Sequence, residues 1–472
     1  MKYRCAILLI TCFVSHAFSQ KAKNWTIIYY AAGSNSSEID LLNDIEEMKR
    51  GKKSKDYNVI TLIDRIEGNS EDSIALGENF KDTRLYQIEH NTYKHLSGQE
   101  FFPEIGIHKS YEANMADAST LKKFIAYCKK YYPAQYYMLI LRSHGNGVGM
   151  CPDAEDGNED HLYPAEITNV LSKNESVDIL GLDVCSMAGI ENLYQWRPEN
   201  SSFSSNFVIA SAPLSAAWAY DHILERITNN AGDDLVLDSN YFDGGKETIL
   251  NPKTMTPLDF SKLIFEEIYD NQQWASWGLF DNTKVSELKT AIDEASKFLA
   301  YEDKTSLINI VDNTLGYYHR TTDNIEMAQL TFPYLDPYHF WDQIRTTTSF
   351  TSATRAKATT VCGLLDKYVI HSYYGQGYLP ETTHFVEGKS GIYQIIPKGN
   401  RIFSQTKNSF WSHCGWFHPD DKSANQNSYG QYDWCINGAT RANNQVDNFY
   451  ELLDCLFDET NTESGGVNNY AW

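Results

Sequence analysis

Short apolar runs, each bounded by polar residues, recur through the first half of the chain. Runs of this length suit buried strands of a parallel sheet, and they predict strands at Thr26–Ala31, Asn58–Ile63, Arg84–Ile88, Tyr136–Leu141, Ile179–Leu182 and Phe207–Ala210. Between them, apolar residues at helical spacing predict helices at Ile39–Lys49, Leu121–Tyr131, Ala165–Leu171 and Ala188–Tyr194. The alternation predicts an α/β fold with a mostly parallel sheet flanked by helices.

The pattern changes after Thr256, where helical spacing dominates. It predicts helices at Pro257–Tyr269, Val285–Leu299, Thr305–Arg320, Tyr338–Ile344 and Phe449–Phe457. Gly391–Pro397 is predicted to be a strand stopped by its proline, whereas Val361–Tyr374 carries mixed signals. We therefore expect residues 20–255 to form the sheet domain and residues 256–397 to continue as helices and strands packed on it. Residues 398–472 form a C-terminal segment rich in Asn and aromatic residues.

The amino terminus has the three parts of a secretory signal peptide. Lys2 and Arg4 precede the apolar stretch Cys5–Val14, and Ala17-Phe18-Ser19 then offers a small-x-small cleavage site before Gln20. This order predicts export and removal of residues 1–19. A lipoprotein signal with its lipid on Cys12 is the alternative, although the residues before that cysteine fit poorly. After the first twenty residues, no apolar run is long enough to cross a bilayer.

Composition narrows the class of partner. The chain has 472 residues, of which 42% are hydrophobic, so it can support a large core. Its net charge of −22 argues against nucleic acid, because binding to phosphates needs a basic face. The acidity chiefly favours solubility.

Seven cysteines follow the predicted cleavage site. An odd number in a secreted chain points to one free thiol, and Cys185 is the natural candidate. Cys128 lies in a helical pattern and could be a plain buried thiol. Cys414 and Cys435 bracket a loop-like segment and could form a disulfide. A zinc site with the histidines near them would match no standard ligand spacing.

Two of the predicted strands end in reactive residues. Tyr136–Leu141 is followed by Arg-Ser-His144-Gly145, and Ile179–Leu182 is followed by Asp-Val-Cys185. The carboxyl ends of parallel strands meet at one edge of the sheet, which is where such folds carry their sites. A thiol and an imidazole at that edge would act as nucleophile and base. Gly145 has no Cβ, so its N–H could approach and stabilise an oxyanion.

An apolar strand followed by His-Gly, and a later one followed by Asp-x-Cys, resembles the clostripain family of cysteine peptidases. That family belongs to the caspase-like group, together with gingipains, legumains and caspases. The likeness spans roughly residues 25–397. It is carried outside the two motifs by Trp25–Met48, Asn58–Asp64, Asn114–Gly149, Phe207–Ser211 and Trp218–Tyr220, and less strongly by Trp277–Leu299 and Leu335–Phe340.

The resemblance implies a caspase-like catalytic domain at residues 20–255 that cleaves peptide or protein substrates and requires no cofactor. It also implies that Asp183 lines the pocket for the residue before the cut, where it would attract Arg or Lys. A turn-capping Asp is the alternative. Some relatives use calcium, and the acidic loop Cys151–His161 could bind it. Its carboxylates do not follow EF-hand spacing, however, so a solvated loop is the other reading.

Two departures from the family pattern weaken the expectation of basic specificity. Ala212–Ala217 contains no acid where relatives tend to carry one. Relatives are often cut after a basic residue soon after the His, but no Lys or Arg lies between Arg142 and Lys173. A secreted or surface binding protein on the same scaffold is therefore the rival hypothesis. Its binding surface would be the aromatic tail with Trp411, Trp416 and Trp434.

Overall fold

A computed structural model of the chain describes residues 22–107, 109–153, 160–215, 217–229, 248–271, 274–317, 333–375, 384–396, 429–440 and 445–457. The predicted signal peptide lies outside these residues, as do Cys414, Trp411 and Trp416. None of the helices in the described ranges is long and apolar enough to span a membrane.

The centre of the fold is a nine-stranded sheet. The described strands are β1 (Lys23–Gly33), β2 (Tyr57–Arg65), β3 (Arg84–Glu89), β4 (Thr92–Leu96), β5 (Ala134–Arg142), β6 (Met150–Asp153), β7 (Asp160–Leu162), β8 (Val177–Asp183), β9 (Ser205–Ser211), β10 (Trp277–Asp281), β11 (Tyr334–Leu335), β12 (Val369–Ser372) and β13 (Gln394–Ile395). Nine of these strands form the central sheet, in the order β12-β10-β9-β8-β5-β1-β2-β3-β4. The other four form two small sheets, in which β6 pairs with β7 and β11 with β13. From β9 to β2 the neighbours are parallel, and the pairs on either side are antiparallel. The expectation of a mostly parallel sheet is confirmed.

Helices cover both faces of the sheet. They are α1 (Glu38–Gly51), α2 (Ala118–Tyr131), α3 (Pro164–Val170), α4 (Ile190–Gln195), α5 (Tyr220–Glu225), α6 (Pro257–Asn271), α7 (Val285–Leu299), α8 (Lys304–Asn313), α9 (Pro337–Thr346), α10 (Ser352–Tyr368), α11 (Asp433–Ile436) and α12 (Phe449–Phe457). The apolar sides of α1, α5 and α6 form one core and those of α2, α3, α4 and α7 the other. Each sheet face is thereby removed from water, as the unbroken apolar runs require.

The strands and helices predicted in the first half are confirmed, with ends that differ by a few residues. The predicted edge or hairpin strand at Arg84–Ile88 is half of a hairpin with β4. Later boundaries are less well predicted. In the described part of Thr305–Arg320 the helix ends at Asn313, and the described part of Gly391–Pro397 contributes two strand residues. The mixed signals of Val361–Tyr374 reflect a helix that ends at Tyr368 and a strand that follows directly.

The sequence patterns missed three strands of the central sheet, namely β4, which completes the hairpin with β3, and the later strands β10 and β12. Strand β10 pairs antiparallel with β9, and β12 pairs antiparallel with β10. The segment after residue 255 therefore not only packs on the sheet but also extends it. Strands β10 and β12 are short, and β12 follows a helix without a turn. Their pairing depends on partners far away in sequence, which a local pattern does not reveal.

The prediction that only one thiol is free is wrong. Among the described residues, the thiols of Cys128, Cys151, Cys185, Cys362, Cys435 and Cys455 are all free, and the expected partner of Cys435, Cys414, lies outside the described residues. Cys185 is distinguished by its exposure, because it is half-buried whereas the other five thiols are buried. Cys128 lies in the core as expected.

Candidate active site

The two candidate catalytic residues leave neighbouring strands at the same edge of the sheet. Strands β5 and β8 are parallel, and Arg142 is the partner of Asp183 in their register. His144 and Cys185 each follow their paired residue by two positions. The backbones beyond the strands are in contact, since a Cβ built on Gly145 would lie 2.5 Å from the carbonyl oxygen of Cys185. The expected juxtaposition of the two loops is therefore present.

A buried charge cluster holds the two strand ends together. Arg142 Nε lies 3.2 Å from Asp183 Oδ2 and 2.9 Å from Asp44 Oδ2. Tyr29 donates its hydroxyl proton to Asp44 at 2.7 Å, and Tyr220 donates to Asp183 at 2.8 Å. The bonds that involve Arg142 or an ionised carboxylate are charge-assisted, and such bonds are stronger than neutral ones. The cluster fixes the strand ends from the face covered by α1 and α5.

The cluster contains two carboxyl groups for one guanidinium. Burial raises the pKa of Asp44 to about 7, although Arg142 opposes the shift. Burial likewise raises the pKa of Asp183, again against the effect of Arg142. The cause in both cases is the cost of a charge in a site without water, with the neighbouring carboxylate adding repulsion for Asp44.

A loop after β1 positions the candidate base. Ser36 Oγ lies 2.8 Å from His144 Nε2. Asn35 donates to the hydroxyl oxygen of Ser143 at 3.1 Å and to the carbonyl of Pro152 at 2.9 Å, so it links this loop to both sides of the His144 turn. The sequence analysis missed both residues. The run Ser-Asn-Ser-Ser signals only a turn, and no local pattern shows which hydroxyl meets the imidazole.

The candidate nucleophile lies against the segment Ala212–Ala217, of which residue 216 is not described. Ser215 directs its backbone N–H to the sulfur of Cys185 at 3.4 Å, and its hydroxyl oxygen lies 3.8 Å from the sulfur. Ser186, the next residue in the chain, has a left-handed backbone with φ of +59°. Its N–H donates to the carbonyl of Pro213 at 2.8 Å. The segment without acids therefore forms one wall of the thiol site.

Gly145 lies in a tight turn next to the Cys185 backbone, and its role as a donor to an oxyanion stays a prediction. It pairs with Met150 in a short hairpin whose hydrogen bonds are donated by Cys151 to His144 and by Asn146 to Gly149. In this alternating pattern the N–H of Gly145 points out of the ladder. Any Cβ at this position would also collide with the Cys185 backbone, so only glycine allows the close approach.

Asp183 lies inside the protein and not on an open pocket wall. The residue is 1% exposed, and its Oδ2 accepts from Tyr220 and from the N–H of Trp218 and forms an ion pair with Arg142. Its other oxygen is buried without a hydrogen-bond partner in the described ranges. One oxygen of the carboxylate thus binds the backbone N–H of Trp218 in the segment after β9, and the other oxygen remains an unused acceptor. A role for Asp183 in binding substrate stays a prediction.

The ends of the acidic loop form the hairpin β6–β7. Residues 154–159, which carry most of its carboxylates, lie outside the described residues, so the calcium hypothesis stays a prediction. Elsewhere in the part of the chain that the structure describes, no three His, Cys, Asp or Glu side chains are grouped as metal ligands.

A mostly parallel sheet that brings a thiol and an imidazole to one edge is the architecture of caspase-like cysteine peptidases. Comparison with known proteins makes the assignment specific. The model of the clostripain family matches residues 29–441. Clostripain from Hathewaya histolytica is 37% identical over 493 aligned positions, which cover 96% of this chain and 91% of the relative. The chain belongs to the clostripain family and is a cysteine endopeptidase.

Solved structures agree on the fold. An inactive protease zymogen from Parabacteroides distasonis matches with a TM-score of 0.54 at 16% identity, covering 84% of this chain and 98% of that one. A secreted cysteine protease from Bacteroides thetaiotaomicron, bound to an irreversible peptide inhibitor, matches with a TM-score of 0.53 at 14% identity, covering 83% and 98%. At these identities the likeness concerns the fold alone.

The difference in burial predicts selective alkylation of Cys185. Burial raises the pKa of Cys151 and Cys362 to about 12, and it also raises the pKa of Cys128, Cys435 and Cys455. Thiolate is the reactive form, so those thiols should react slowly. With limiting iodoacetamide at neutral pH, peptide mapping should find the label on Cys185. Equal labelling of the buried cysteines would contradict this expectation.

Proposed function

We propose that this chain is an exported endopeptidase that cleaves peptide bonds with a Cys185–His144 dyad. The observation that carries the proposal is the paired exit of the two residues from parallel strands tied by Arg142 and Asp183. Membership of the clostripain family supports peptide cleavage over the rival hypothesis of a binding protein.

The reaction proceeds through a thioester. The Cys185 thiolate attacks the scissile carbonyl carbon, a C–S bond forms, and the carbonyl electrons move to oxygen. The N–H groups of Gly145 and Cys185 hold that oxyanion. When it collapses, the C–N bond breaks and His144 protonates the leaving amine. His144 then takes a proton from water, the water attacks the thioester, and Cys185 leaves as thiolate. No step needs a cofactor.

We further propose a moderate preference for Arg or Lys before the cut. Asp183 keeps one acceptor oxygen unused within the described residues, but that oxygen is buried, so the loops around it would have to open for a substrate cation to reach it. Its other oxygen is already engaged by Arg142, and the neighbouring wall at Ala212–Ala217 supplies no second acid. One shared carboxylate gives less support for bidentate capture of a guanidinium than two free ones.

Removing either dyad residue should abolish cleavage without unfolding the protein. Cys185→Ala and His144→Ala each delete a group at the exposed edge, where neither supports the core. We expect peptide cleavage to fall below detection while circular dichroism and the melting temperature stay near wild type. His90→Ala is the matched control, because His90 is an exposed histidine at the opposite edge of the sheet. Cleavage by folded Cys185→Ala would remove the thiol from the mechanism.

Substrate preference can be measured with one peptide series that carries Arg, Lys or Gln before the cut. A charge-assisted hydrogen bond to one carboxylate contributes about 1–3 kcal/mol. We therefore expect kcat/KM for Arg to exceed that for Gln by about 5- to 150-fold. Strict cleavage after Arg in a mixed peptide library would mean that another carboxylate completes the pocket. A ratio near one would remove Asp183 from substrate binding.

Export should leave a mature chain that begins near Gln20. The basic start, apolar stretch and small-x-small site of residues 1–19 motivate this expectation. Amino-terminal sequencing of the exported protein tests it. A chain that begins at a lipid-modified Cys12 would favour the lipoprotein alternative, and an exported chain that still carries Met1 would contradict both.

A further inference from the structure

Two stacked tyrosines lie behind the loops that carry the dyad. We call residues 144–150 the His loop and residues 184–190 the Cys loop. Tyr334, on β11, and Tyr393, just before β13, have ring centroids 4.4 Å apart and planes 25° from parallel. Both are at most 1% exposed. They come from the second half of the chain and are remote in sequence from both loops.

The hydroxyl of Tyr393 contacts both loops at once. Its oxygen lies 2.7 Å from the carbonyl oxygen of Ser186 and 2.8 Å from that of Gly147. A phenol has a single proton to donate, so the two carbonyls share it. Backbone bonds add to the link, since Tyr393 N–H donates to Ala188 and Ile190 N–H donates to Tyr393. Burial raises the pKa of Tyr393, which keeps the donor protonated.

Tyr334 supports the same arrangement from the His loop. Its hydroxyl donates to the carbonyl of Asn146 at 2.7 Å. Gly147 has φ of +97°, and a Cβ there would run into the Tyr334 ring. A Cβ on Gly189 would likewise meet the Tyr393 ring at 2.7 Å. Both loops are therefore packed onto the tyrosine pair so closely that only glycine fits at these two contacts.

The backbone of Ser186 shows why the link matters for the thiol. A left-handed conformation is sparsely populated for a residue other than glycine, and it persists only where the surroundings impose it. At Ser186 the N–H is held by Pro213 and the carbonyl by Tyr393. Gly147, in contrast, has a second donor, since Asn192 also bonds its carbonyl at 3.0 Å. Loss of the Tyr393 hydroxyl would thus release the Cys loop more than the His loop.

We propose that Tyr393, supported by Tyr334, is a positioning residue for catalysis whose one hydroxyl ties the Cys loop to the His loop and sets how Cys185 faces His144. The inference rests on the proposed dyad. A displacement of about 1 Å between reacting groups can lower a rate by about 100-fold. Substrate binding at subsites away from the dyad would be untouched, so kcat should change and KM should not.

Tyr393→Phe removes one oxygen atom and keeps the stacked ring. We expect kcat to fall by about 10- to 100-fold with KM within about twofold. The rate is measured per molecule titrated with an irreversible thiol reagent, so that loss of folded protein does not count. In hydrogen–deuterium exchange, both loops should lose protection, and the Cys loop should lose more than the His loop, whose Gly147 carbonyl keeps its bond from Asn192. Tyr57→Phe is the matched control, because its buried hydroxyl bonds one carbonyl, that of Leu224, at the opposite edge of the sheet.

A wild-type kcat in Tyr393→Phe, or unchanged exchange in both loops, would overturn the inference while leaving the dyad intact. An equal loss in Tyr57→Phe would also overturn it, since that would indicate general destabilisation. If Tyr393→Phe does not fold, Tyr334→Phe must lower kcat and protection of the His loop, or the inference fails. If the wild type shows no cleavage that depends on Cys185, the proposed function fails, and the exchange data still decide whether the tether exists.

Discussion

The buried pair of Arg142 and Asp183 is the interaction on which the rest of the site depends. It joins β5 to β8 at their last paired position, two residues before His144 and Cys185. A slip of one residue in either strand would turn its side chains to the other face and separate the charges. Removing one partner of such a pair leaves an uncompensated buried charge, at a cost of about 3–5 kcal/mol. The pair therefore acts chiefly as a register lock, and Asp44 adds a second carboxyl group beside the same guanidinium.

The edge that this lock defines is built from both halves of the chain. Strands β5 and β8 supply the reactive residues, but later segments cover and support them. Strand β10 pairs with β9, so the outermost parallel strand does not leave its backbone hydrogen-bonding groups unpaired. Ser211 at the end of β9 donates to the carbonyl of Ser276, which ties the wall of the thiol site to the later strand. The region after residue 255 is thus part of the catalytic framework.

The surroundings of each thiol, and not its bonding, separate Cys185 from the other described cysteines. All six are free, yet five are buried, and burial disfavours the charged thiolate. Cys185 is half-buried and receives an N–H from Ser215.

Burial also explains why the two oxygens of Asp183 differ. The lock occupies one of its oxygens, and the other remains an acceptor without a partner in the described ranges.

The sequence determined the parallel strands, most helices and the exit of His144 and Cys185 at one edge, because apolar runs and helical spacing are local signals. The family likeness could also be recognised from the residues at those strand ends. Tertiary structure alone decided that Asp183 is engaged by Arg142, that Ser36 meets His144, and that Tyr393 lies between the two loops. Each of these contacts joins residues from separate segments, and only chain packing brings them within hydrogen-bonding distance. The strands β10 and β12 escaped prediction for the same reason, since distant partners stabilise them.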